Sequence, residues 1–95
     1  MTLKFTPSSG GGGGCPILSV YDGEQYVEEG LLDIHTEGED VVRQHWLATT
    51  PQSVNGKYLM RLTEHPQTHS YIDQVKLYAV DYEGEWHLCP LTYAY

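Results

Sequence analysis

Ninety-five residues suffice for one small domain, and 13 acidic against 5 basic residues give it a formal charge of −8. That balance excludes nucleic acid, whose phosphates require clustered Lys and Arg, and disfavours an anionic membrane surface. No apolar run approaches the roughly 20 residues of a membrane span, and no basic-then-apolar leader is present.

Thr2-Leu3-Lys4-Phe5-Thr6 alternates as a short strand does. Pro7, Ser8 and Ser9 lead into Gly10 to Gly14, and five consecutive glycines favour a flexible linker over any regular element. Residues 1–14 are therefore expected to be a flexible segment, either a tail or a tethered strand that adds to a sheet edge. The domain proper is expected over residues 15–95.

Cys15-Pro16 opens that domain. Ile17 to Tyr21 and Glu24 to Glu28 read as strands around Asp22-Gly23, a pair that predicts a tight hairpin because both turn positions need positive φ. Gly30 to Glu39 reads as a loop with an apolar patch at Leu31, Leu32 and Ile34. Asp40 to Thr49 fits a strand or one capped helical turn, and its β-branched and aromatic residues favour the strand. Pro51 to Asn55 is a loop, and Lys57 to Thr63 alternates with Tyr58, Met60 and Leu62 inward. His65-Pro66-Gln67-Thr68 turns into the longest strand, His69 to Asp81. Its Val75, Leu77 and Ala79 face one way, and Gln74, Lys76 and Tyr78 the other. Asp81 to Gly84 turns the chain, Glu85 to Cys89 returns with Leu88 inward, and Leu91 to Tyr95 is strand-like to the end.

About six to seven strands with turn chemistry between them predict an all-β domain, a small antiparallel β-sandwich or open barrel. The expected core is Leu18, Val20, Tyr58, Met60, Leu62, Val75, Leu77, Ala79 and Leu88.

Four constellations could carry chemistry. Cys15 and Cys89 are the only cysteines, each followed by proline, and in an exported domain an even count invites a disulfide. Reduced thiols packed as small hydrophobes are the alternative. His65 and His69, with Glu64 and Asp73, could bind Zn²⁺, although no helical spacing fixes their geometry. Glu28, Glu29, Glu37, Glu39 and Asp40 offer hard oxygens for Ca²⁺ without the loop pattern that normally holds it. The fourth set is aromatic. Tyr21, Tyr78, Tyr82, Trp86, Tyr93 and Tyr95 are candidates for outward faces, where flat rings bind sugars or simply pair across strands. No Gly-x-Ser-x-Gly elbow and no phosphate loop occurs, so neither an enzyme nor a cofactor is expected.

The stretches Cys15 to Gly23, Asn55-Gly56-Lys57-Tyr58, Glu64-His65 and His69 to Asp81 together resemble a β-sandwich module of large exported archaeal and bacterial proteins. The run Tyr71-Ile72-Asp73-Gln74-Val75-Lys76-Leu77 is similar to a strand of jelly-roll, carbohydrate-binding-like domains. The resemblance covers Cys15 to Tyr95. It implies an extracellular or cell-surface, non-enzymatic module that takes protein partners or self-associates by strand addition. A carbohydrate- or metal-binding module is the alternative.

Overall fold

The computed structural model describes residues 1–6, 15–34, 42–64, 72 and 75–94. Within them ten strands form: β1 (Thr2–Thr6), β2 (Ile17–Tyr21), β3 (Tyr26–Leu31), β4 (Arg43–Trp46), β5 (Ser53–Val54), β6 (Lys57–Tyr58), β7 (Met60–Thr63), β8 (Lys76–Val80), β9 (Trp86–Leu88) and β10 (Leu91–Ala94). Two four-stranded sheets, ordered β4-β1-β8-β9 and β10-β7-β2-β3, make an all-β, sandwich-like fold, and β5 and β6 form a small separate hairpin. The pairing is antiparallel apart from β10, which runs parallel to β7. After β9 the chain leaves the first sheet at Cys89-Pro90 and enters the second in the direction of β7. The strand count exceeds six to seven because Lys57 to Thr63, read as one strand, is interrupted at Leu59 into β6 and β7, and because the loop over Pro51 to Asn55 contains the two-residue β5.

Strand alternation explains the core. Leu3, Phe5, Leu77 and Ala79 from the first sheet meet Leu18, Val20, Met60 and Leu62 from the second, with Leu32, Ile34, Ile72, Val75 and Cys89 closing the gaps. Thr2–Thr6 is therefore more than an appendage. It lies inside its sheet, paired antiparallel with β4 on one side and β8 on the other, and Leu3 and Phe5 are buried. A strand with both ladders filled has no unpaired backbone to offer a neighbour. The glycine run itself lies outside the described residues.

Two local readings change. Asp22-Gly23 is not a two-residue turn, since Tyr21 pairs with Tyr26 and the loop spans residues 22–25. Asp22 closes it by accepting the backbone N–H groups of Glu24 and Gln25, 2.9 Å each. The two-residue turn is Asn55-Gly56 between Val54 and Lys57, with φ of 52° and 79°, as a type I′ hairpin requires. Leu88 is the other correction. It was expected in the core and is 59% exposed. Ala79 faces inward and pairs with His87, so the pleat sends His87 inward and Trp86 and Leu88 outward.

Candidate functional site

The cross-strand register builds one face. Trp46, Thr2, Val80 and Trp86 stand in a row across β4, β1, β8 and β9, and Gln44, Lys4, Tyr78 and Leu88 form the row beside it. All eight point away from the core, because their neighbours Leu3, Phe5, Leu77 and Ala79 point into it. The two tryptophans are three strand spacings apart, roughly 14 Å. Trp46 is 73% exposed and Trp86 49%. Tyr78 and Trp86 pack with ring centroids 5.7 Å apart, and the Lys4 ammonium sits 4.7 Å from the Trp86 ring centre. Such a cation contributes about 0.5–1 kcal/mol at an exposed site. None of the eight residues is a carboxylate, although the chain has 13.

Of the six aromatics that are candidates for outward faces, the five that are described do not converge. Tyr78 and Trp86 share this face. Tyr82 is 90% exposed in the β8–β9 turn, and Tyr93 lies on β10 of the other sheet. Tyr21 also belongs to that sheet, where it packs 5.4 Å from Tyr26 and donates its hydroxyl to the Gly23 carbonyl at 3.1 Å. Trp46, Leu88 and Lys4 escape a reading of the sequence, since only the pairing of β1 with β4 and β8 brings them together. Tyr95 is outside the described residues.

The expected metal residues His65, His69 and Asp73 also lie outside the described residues. Glu64 follows β7, and its backbone N–H donates to the Ala94 carbonyl at 2.7 Å. Glu29, offered above as a Ca²⁺ ligand, instead holds a loop by accepting the N–H groups of Ala48 (3.1 Å) and Thr49 (2.6 Å). A different group, Asp81, Glu85 and His87, brings one ligand atom from each within 4.8 Å of the others at the β8–β9 turn. One imidazole nitrogen and two carboxylate oxygens suit a divalent ion in principle. Here their geometry already serves the turn. Asp81 Oδ1 accepts the N–H groups of Glu83 and Glu85, 2.9 Å each, and Oδ2 meets His87 Nε2 at 2.8 Å.

That bonding has a pH signature. The hydrogen bond with His87, and then the N–H of Glu85, hold the Asp81 carboxyl below its usual 3.8. A depressed carboxyl stabilises the fold above its unfolded pKa, and this contribution is lost as pH falls through the lowered value. Asp81→Asn keeps an acceptor for the turn and loses the charge. Urea melts are expected to show the variant less stable than the parent at pH 5, with the gap narrowing as pH falls below about 4. A gap independent of pH would contradict this.

The cysteines are not bonded to each other. The Leu32 N–H donates to the Pro16 carbonyl, which extends the β2–β3 ladder to Pro16, and the Met60 N–H donates to the Pro90 carbonyl. Leu91 and Val20 both lie opposite Met60, so Pro16 and Pro90 are about five strand positions apart, roughly 16 Å. Each cysteine is one Cα step of about 3.8 Å from its proline, which leaves the two out of reach of each other. A disulfide needs Cα atoms within about 7 Å, so the expected bridge does not form. Cys89 is buried, and desolvation pushes its thiol up to about 11. Thiol titration of the native protein is expected to modify the half-buried Cys15 first and Cys89 only on unfolding. Unfolded, unreduced protein with no free thiol would contradict the geometry.

No family model matches the chain, and no curated protein or solved structure matches it.

Proposed function

We propose that the chain is a non-enzymatic protein-interaction module of an exported or cell-surface protein, and that it docks through the outer face of the β4-β1-β8-β9 sheet. The observation that carries this reading is the composition of that face. A protein of charge −8 keeps two tryptophans, a tyrosine and an exposed leucine together and places no carboxylate among them. Interface cores are depleted in charge and enriched in aromatic residues, and exposed apolar patches rimmed by polar groups mark docking surfaces. The resemblance to modules of exported proteins supports the location.

A carbohydrate platform is the second reading, favoured by Trp46 and Trp86 sharing one cross-strand row. Two contacts place it second. Lys4 already occupies a face of Trp86, and Leu88 and Val80 present aliphatic groups where a stacked sugar would need a flat ring.

Selection of a displayed random-peptide library on the immobilised domain separates the two. Peptides rich in apolar residues are expected to enrich and to lose at least about tenfold in affinity against Trp46→Ser/Leu88→Ser, in keeping with the cost of losing central aromatic anchors. Peptides that bind the variant equally well would overturn the reading. So would a glycan array with Trp46-dependent binding and no peptide enrichment.

A further inference from the structure

The basic side chains of this acidic protein can be accounted for one by one. There are five, all within the described residues. The Lys4 ammonium lies over Trp86, and the Arg61 guanidinium lies 4.7 Å from the centre of the Tyr26 ring. Arg43 Nη1 is 3.2 Å from the Asp33 carboxylate and donates to the Asp33 carbonyl at 2.9 Å. That leaves Lys57 and Lys76, both exposed, with neither an ion-pair nor a ring partner among the described residues.

These two lysines line the same cleft. It has a volume of about 390 Å³, within the range of small-molecule sites. Its other walls are Val75, Leu88, Pro90 and Leu91, with the Cys89 thiol and Tyr93 completing the lining. Val75 and Cys89 are buried, so the floor is apolar. The Cys89 thiol, raised to about 11 by burial, is neutral at physiological pH and puts no anion in competition. A largely apolar cleft lined by two lysines has a definite complement. A ligand with one negative head and an apolar body satisfies the ammonium groups and removes the walls from water together.

We propose that this cleft binds a small anionic amphiphile, with a carboxylate or sulfate head between Lys57 and Lys76 and a short apolar chain against Val75, Pro90 and Leu91. The cleft borders the docking face, with which it shares Leu88 and the outward-facing Lys76.

Decanoate, decyl sulfate and uncharged decanol serve as probes, titrated below their micelle-forming concentrations into isotopically labelled protein and followed by amide chemical shifts. Both anions are expected to saturate and to shift the amides of Lys57, Leu88, Cys89, Leu91 and Tyr93, with decanol at least about tenfold weaker. Lys57→Gln/Lys76→Gln is expected to bring the anions down to the decanol level, and Lys57→Arg/Lys76→Arg to retain them. Both lysines are exposed, so a thermal melt of each variant is expected to match the parent. Shifts centred on Trp46 and Trp86, equal binding of decanol and decanoate, unchanged affinity in the glutamine variant, or no saturable binding would each overturn the proposal.

Discussion

Deleting residues 1–6 is expected to leave the chain unfolded at 25 °C. β1 is bonded on both sides, to β4 and β8, so its loss removes two ladders and separates strands that have no other connection within the sheet. Its inward side chains, Leu3 and Phe5, are both buried in the core. Phe5→Ala alone is expected to cost about 3–5 kcal/mol and Leu3→Ala about 2–5 kcal/mol, the range for large cavities in a core that relaxes little. Small domains are stable by only about 5–15 kcal/mol, so losing both with their backbone exceeds what the remainder supplies. Circular dichroism and urea titration of the truncated chain check this. A cooperative transition within about 1 kcal/mol of the parent would show that β1 is dispensable.

The second large effect is at Leu77. It is the second residue of β8, fully buried, opposite Phe5 on β1. Leu77→Ala is expected to destabilise by about 2–5 kcal/mol, read as a lower urea midpoint at unchanged slope. Leu88→Ala, one strand away but outward-facing, is expected to change stability by less than about 0.5 kcal/mol. The pair of variants tests the orientation of the sheet. Equal losses at the two positions would reverse the assignment of its faces.

The alternation of β2, β7 and β8 was legible in the sequence, and with it most of the core. Leu18, Val20, Met60, Leu62, Val75, Leu77 and Ala79 are all buried, because a strand with one wet face repeats every second residue. Tyr58 is half-buried and packs against that core. What alternation does not carry is pairing. In Trp86-His87-Leu88 the pattern apolar, polar, apolar suggests that the histidine faces water. The five residues between Val80 and Trp86 set the register that turns it inward. The β1 strand was recognisable as a strand, but its place between β4 and β8 depends on contacts some 40 and 75 residues away. No local propensity encodes such contacts. The turn signals were present at both Asp22-Gly23 and Asn55-Gly56. Only the second has the two positive φ angles of a two-residue hairpin, because at the first the Asp22 carboxylate closes a longer loop.

The same limit explains the docking face. Tyr78 and Trp86 were visible as aromatic residues on neighbouring segments, whereas Trp46 joins them only through β1, by way of Thr2. Absence of carboxylates from a face is likewise a property of the folded surface and not of any stretch of chain. Docking through this face is decided by amide and indole shift mapping of a library-selected peptide on the intact domain. Perturbations are expected at the indole N–H groups of Trp46 and Trp86 and the amides of Lys4, Tyr78 and Leu88, with the β2 and β3 amides unmoved. A footprint on the β10-β7-β2-β3 sheet, with both indole signals unchanged, would contradict it.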